Sequence, residues 1–160
     1  MTNEQIISKL IEENISISTA ESCTGGSLGK IITSVPGASS IYGYGFITYA
    51  NEAKEKILGV SHETLEKHGA VSPDTALEMA KGARAVSGSD IAVSVTGIAG
   101  PGGGTDEKPV GLVYIAIADK DGAEFRKLNL SGSRDEVRAQ SCDKTFELIA
   151  ERLKGTGEFL

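Results

Sequence analysis

With 160 residues, a net charge of −6 and a pI near 5.0, the chain is long enough for one domain burying roughly two thirds of its unfolded surface, and too acidic to offer nucleic-acid phosphates a broad basic footprint. Two cysteines without a C-x-x-C pair, and two histidines (His62 and His68), fall short of the four ligands of a structural zinc site. No apolar run of about 18 residues and no signal-like stretch is present, so the chain is expected to be cytoplasmic, away from membranes, with Cys23 and Cys142 reduced.

Residues 3–13 place Ile6, Ile7, Leu10 and Ile11 on one face at helical spacing and predict a covering helix. Residues 15–20 alternate apolar and small polar side chains, the pattern of a half-buried strand. Gly25 and Gly26 permit a tight turn, and residues 27–34 read as a helix that Pro36 and Gly37 end. The run 38–45 reads as a loop entering a strand at 45–50, with Tyr49 near its exit. Asn51 as N-cap and Gly59 as stop predict the next helix, and residues 61–67 a short helical turn. Ser72 followed by Pro73 opens a helix over 74–86.

Residues 90–96 form the best central strand, running into a glycine-rich loop at 97–109 whose length suggests a function. A strand at 110–118, a hairpin turn at 119–122, a strand near 124–130 and a packing helix over 133–153 follow. From Gly155 onward the chain is expected to fray. This order predicts a single α/β domain over 1–160: a mixed, mostly parallel sheet between helical layers, with a C-terminal hairpin and helix.

A strand that hands over to a helix start aims unpaired backbone N–H groups at one point, which suits a phosphate, a carboxylate or an oxyanion. Glu21, Ser22, Cys23 and Thr24 crowd that corner. Glu21, Thr24, Gly25 and Gly26 are therefore expected to bind substrate, with the N–H groups of 24–26 receiving an oxyanion. Ser22, at the handover, is placed as a nucleophile, or else as a turn serine bonding local backbone. Cys23 is a rival nucleophile if His62 or His68 folds onto it, and otherwise a small buried thiol. Ser27 fits both G-x-S-x-G and, with Lys30, S-x-x-K, but it lies too far beyond the strand and no S-D-N follows, so both residues read as helix surface.

A serine without histidine needs another base. Lys54 sits near the start of a helix, where the macrodipole disfavours an ammonium, and burial would lower its pKa further. Tyr49, just before that helix, would relay the proton or hold the substrate. A surface lysine and a core-edge tyrosine are the plain alternatives. Thr96 and Gly97 stand at the carboxyl end of the central strand, the edge where α/β sheets gather ligands, although the loop beyond fits no dinucleotide or triphosphate fingerprint. Arg134, opening the last helix, offers a fork to a phosphate or else meets only water.

Taken together, Thr19-Ala-Glu-Ser-Cys-Thr-Gly-Gly26, Tyr49-Ala-Asn-Glu-Ala-Lys54, His68-Gly-Ala-Val-Ser72, Thr96-Gly-Ile-Ala-Gly-Pro101 with Gly103, and Lys108-Pro-Val-Gly111 resemble the CinA C-terminal domain family, the nicotinamide-nucleotide amidases, over nearly the whole chain. The resemblance implies hydrolysis of the carboxamide of nicotinamide mononucleotide to nicotinate mononucleotide and ammonia, with no metal and no other cofactor. It implies Ser22 as nucleophile, Lys54 as base and Tyr49 assisting, with Thr96 and Gly97 lining the site. Arg134 would meet the nucleotide phosphate, with Arg138 one helical turn away as its substitute. Many members carry an additional N-terminal domain, and the chain resembles the form without it. The expected partners are a small nucleotide substrate and further copies of the chain, as a homodimer or higher homo-oligomer. Two other readings stand beside this one: a nucleotide-binding regulatory domain without turnover, and an amidase for a different small amide.

Overall fold

Strands with large apolar side chains on one face and small ones on the other decide how the helices pack. In the computed structural model, which describes residues 1–157, the elements run α1 (Asn3–Glu12), β1 (Ile17–Glu21), α2 (Ser27–Thr33), a 3-10 turn (Ala38–Ser40), β2 (Tyr44–Ile47), α3 (Asn51–Leu58), α4 (His62–His68), α5 (Pro73–Ser87), β3 (Ile91–Gly97), β4 (Leu112–Asp119), β5 (Gly122–Asn129) and α6 (Arg134–Gly155). The five strands lie in the order β2-β1-β3-β4-β5. β1 is parallel to both β2 and β3, while β4 and β5 add on as an antiparallel hairpin. The α/β domain with its mixed sheet and C-terminal hairpin and helix is as the sequence predicts.

Ile17, Val93, Val95, Val113, Ile115 and Ile117 project to one side and pack with Leu10, Leu28, Ile32, Phe146 and Ile149 of α1, α2 and α6. On the other side Ala20, Ala92, Ala116 and Ala118 lie beneath Ala76, Met79, Ala80 and Ala83 of α5. Helices thus cover both faces, so β1 is buried along its whole length and not half-buried as its alternation suggests. The small residues of β1, Ser18 and Ala20, make room for close helix approach. No helix among the described residues is long and apolar enough to cross a membrane.

Two boundaries depart from expectation for reasons that bear on the site. β2 ends at Ile47, earlier than predicted: the Thr48 amide still donates to the Glu21 carbonyl at 2.9 Å, and the Thr48 and Tyr49 carbonyls accept from Lys54. The cap of α3 is Ala50 in extended conformation, and Asn51 is the first helical residue, so this helix starts without a side-chain cap. At the far end, α6 runs through Gly155 to a cap at Thr156, which corrects the expected fraying at Gly155; the remainder of that expectation falls on 158–160, outside the described residues.

Gly82 sets the distance between α3 and α5. A Cβ built there would stand 1.9 Å from the Leu58 carbonyl oxygen. Gly82→Ala is therefore expected to lower stability by about 2 kcal/mol, overpacking outweighing a helix-propensity gain of about 1 kcal/mol. The melting temperature should fall by roughly 5 °C, and because α3 carries Lys54, activity should fall with it. A variant that melts at or above the wild-type temperature would show that the two helices have slack.

Candidate active site

The pleat of β1 sends Glu21 and Ser22 to opposite faces of the sheet. Glu21 turns toward α2, where its Oε1 accepts from the Thr24 hydroxyl at 2.7 Å, the Leu28 amide at 2.9 Å and the Gly26 amide at 3.2 Å, and its Oε2 accepts from the Gly29 amide at 3.1 Å. A buried carboxylate thus satisfies the open N–H groups at the positive end of α2. These bonds occupy its oxygens, so the side chain expected to bind substrate instead builds the loop that presents Ser22. Glu21→Gln, which sets an NH2 group against amide donors, is expected to cost on the order of 3 kcal/mol and to speed amide exchange at Leu28 and Gly29. Unchanged melting and exchange would show that the charge is idle.

Ser22 extends the β1–β3 ladder by one step, its amide donating to the Val95 carbonyl at 3.0 Å, and its side chain faces α3. Lys54 comes back from α3 to meet it. The lysine is 0% exposed, with Nζ 3.0 Å from Ser22 Oγ, 2.7 Å from the Thr48 carbonyl oxygen and 3.2 Å from that of Tyr49. Among the described residues no carboxylate compensates the charge. Burial lowers the Lys54 pKa from 10.5 to about 8, opposed weakly by the nearby Cys23. The contacts suit both protonation states. As an ammonium, Nζ donates to all three oxygens; as an amine, its two N–H groups serve the carbonyls and its lone pair is left for the Ser22 hydroxyl proton.

The expected oxyanion donors are only partly free. The Gly25 amide donates to the Ser22 carbonyl at 3.1 Å and that of Gly26 to Glu21, whereas the amides of Cys23 and Thr24 find no oxygen acceptor among the described residues. Cys23 itself is a buried thiol, pushed up to about 11 mainly by desolvation. Neither histidine comes to it. His62 is held between Glu55 and Glu66, and His68 lies 3.2 Å from Asp74.

Tyr49 reaches Lys54 through its carbonyl and not through its ring. The side chain is 62% exposed, and its hydroxyl accepts from Arg134 Nη2 at 3.2 Å. Arg134 Nη1 donates to the Gly100 carbonyl at 2.8 Å, so this guanidinium ties the exit of β2 to the glycine-rich loop. Arg138 donates through Nη2 to the Thr24 carbonyl at 2.9 Å, and its buried Nε has no partner among the described residues. Thr96 is buried, its hydroxyl donating to the Ala70 carbonyl at 2.8 Å, and Gly97 is packed so closely on β4 that a Cβ would lie 2.6 Å from Val113. Thr96 and Gly97 thus shape the strand end through packing.

One residue escaped the sequence reading. Thr48 is completely buried, its carbonyl holds Lys54, and its hydroxyl has no partner among the described residues. Its only sequence signal is its place two residues beyond Phe46, on the same side of the pleat. Three cavities are lined by residues other than Ser22 and Lys54: one of about 460 Å³ by Glu124, Arg126, Glu151 and Arg152, one of about 450 Å³ by Lys9, Arg84, Asp90 and Asp119, and one of about 320 Å³ between α2 and α6 beside Arg138 and Cys142. Among the described residues no three of His, Cys, Asp and Glu gather to hold a metal.

Comparison with known proteins agrees with this architecture. The sequence matches the CinA C-terminal domain family over residues 1–153. It is 52% identical over 153 residues to a protein of Caldanaerobacter subterraneus subsp. tengcongensis named for competence-damage induction, covering 95% of this chain and 37% of that one. A CinA-like protein of Geobacter sulfurreducens is 49% identical over 142 residues, 89% of this chain and 34% of that one. The chain therefore spans little more than a third of these relatives. Among solved structures, the competence/damage inducible protein CihA of Agrobacterium tumefaciens superposes with a TM-score of 0.89 at 43% identity, covering 92% of this chain and 90% of that one. A CinA superfamily protein of Klebsiella pneumoniae 700603 gives 0.91 at 32% identity, with 97% and 99% covered.

Proposed function

Since the chain belongs to the CinA C-terminal domain family, and a desolvated lysine stands at its nucleophile turn, we propose that it is an amidohydrolase releasing ammonia from the carboxamide of nicotinamide mononucleotide. The observation that carries this reading is the Lys54 amine 3.0 Å from the Ser22 hydroxyl, with no carboxylate among the described residues to hold it charged.

The reaction follows from those contacts. The Lys54 amine accepts the Ser22 proton as Oγ bonds to the carboxamide carbon, and the carbonyl oxygen becomes an oxyanion facing the Cys23 and Thr24 amides. Lys54 returns that proton to the amide nitrogen, the C–N bond breaks, and ammonia leaves an ester on Ser22 with Lys54 neutral again. Water then attacks the ester, giving one proton to Lys54. Collapse of this second tetrahedral adduct passes the proton to Ser22 Oγ and frees the carboxylic acid. Arg134, already at the rim, would exchange its Tyr49 and Gly100 contacts for the substrate phosphate, with Arg138 next to it on α6.

In its cytoplasmic setting such an enzyme would act on a free nucleotide and need no metal. The test is ammonia release from nicotinamide mononucleotide by the purified chain with chelator present, set against a panel of other small primary amides. Steady release with nicotinate mononucleotide as co-product is expected. Release from other amides alone would move the substrate, and calorimetric binding without any product would make this a regulatory nucleotide-binding domain.

A further inference from the structure

The two outer edges of the sheet are built differently. β5 carries Glu124, Arg126 and Lys127, with Arg126 held 3.0 Å from Glu124 and 3.5 Å from Glu151, and charges of this kind keep an open edge from pairing with another chain. β2, at the other end of the strand order, has no such guard: residues 31–51 contain no charged side chain, although charged residues make up 24% of the sequence. Tyr44 and Ile47 are 51% and 57% exposed, and among the described residues only β1 pairs with this strand.

Which backbone groups lie open follows from the register. Glu21 is aligned with Ile47 and its carbonyl accepts from the Thr48 amide, so the even-numbered residues of β2 turn their N–H and C=O groups toward β1. Those of Gly45 and Ile47 point away from the sheet. An antiparallel copy of the strand, centred on Phe46, sets Gly45 against the second copy's Ile47 and Ile47 against its Gly45, so that the open amides and carbonyls of both strands face one another. The side chains fit the same register. Each Ile47 lies beside a glycine, and Phe46, which stacks on Tyr44 at 6.1 Å and packs on Leu58 of α3, meets the second copy's Phe46 as a cross-strand aromatic pair.

We propose that β2 is an interface between two copies of the chain, paired antiparallel about a two-fold axis at Phe46 so that their sheets run on as one. An uncharged strand lets an acidic chain, of net charge −6, meet its own copy without repulsion at the joint. The interface adjoins the candidate site. Ile47 Cδ1 lies 3.1 Å from where a Cβ on Gly26 would stand, and the two residues that follow Ile47 hold Lys54 by their carbonyls, so pairing stiffens the strand end that carries the base. It stands or falls independently of the reaction at Ser22.

The experiment follows sedimentation and amide hydrogen exchange of the purified chain. Wild type should sediment as a dimer, with the Gly45 and Ile47 amides exchanging at least about tenfold more slowly than in a monomer. Ile47→Lys and Tyr44→Lys, each placing on the exposed edge a charge like those of β5, should sediment as monomers with unchanged helical circular dichroism and fast exchange at Gly45. Single cysteines read the register, both native cysteines being buried. Under diamide, Phe46→Cys should form a disulfide between copies, whereas Tyr44→Cys, whose counterpart would lie roughly 13 Å away along the strand, should not. A wild-type monomer, the result expected if this edge instead serves a strand of a different protein, overturns the proposal. So does a dimer that survives both lysines or leaves Gly45 and Ile47 exchanging freely, and so does a folded, dimeric Phe46→Cys that fails to cross-link.

Discussion

Lys54→Met is expected to cut ammonia release by at least about three orders of magnitude while making the fold more stable at neutral pH. The two effects share one cause. In the folded chain Lys54 has a pKa of about 8, against 10.5 for the ordinary side chain. Below pH 8 both folded and unfolded chains carry the charge, and the folded one bears the desolvation penalty in full, on the order of 3 kcal/mol. Between pH 8 and 10.5 the unfolded chain binds more protons than the folded one, so wild-type stability rises with pH across that window. Methionine fills the same space without the charge, so its advantage should be present at pH 7 and shrink as pH approaches 10.5. Loss of donors to the Thr48 and Tyr49 carbonyls offsets part of the gain. Denaturation of both proteins from pH 6 to 11 checks this; parallel curves would mean that the lysine titrates normally. In the wild type, kcat/KM should climb about tenfold per pH unit up to a plateau above pH 8.

Ser22→Ala should be as inactive as Lys54→Met, because removing either member of a nucleophile–base pair removes the same step. It should leave the fold nearly intact, the side chain being 8% exposed and its amide still bonded to Val95. The distinguishing readout is covalent. Rapid quenching of wild type with nicotinamide mononucleotide should trap an acyl adduct on the peptide carrying Ser22, and Ser22→Ala should show none. An adduct on Cys23 instead, or turnover by Ser22→Ala, would transfer the chemistry to the thiol.

The fold was legible where local physics decided it. Ile6, Ile7 and Leu10 at helical spacing and Ser72 ahead of Pro73 mark helices that stand where the sequence puts them. What the sequence misjudged depends on neighbours distant in the chain. The alternation of β1 implied a wet face, because nothing in residues 15–20 tells of α5, whose alanines need small partners. At the candidate site, Ser22 and Lys54 could be nominated from a glycine turn and a helix start, but their meeting depends on a pairing between β1 and β2 that no short segment encodes. Arg134, Arg138 and Thr96 were visible as residue types, and their bonds to Gly100, Thr24 and Ala70 were not. Thr48 was missed for the same reason: a threonine at a strand end is ordinary until its carbonyl is seen to hold Lys54.

Because the last residue of β1 carries the carboxylate that secures α2 and the next residue the hydroxyl that meets Lys54, their division of labour depends on odd and even numbering along the five residues that lead to them. Deleting or inserting a single amino acid there would interchange them, burying an anion against the lysine and leaving the amides of α2 with an alcohol. The length of that segment is consequently as much a part of the chemistry as the identity of any group on it.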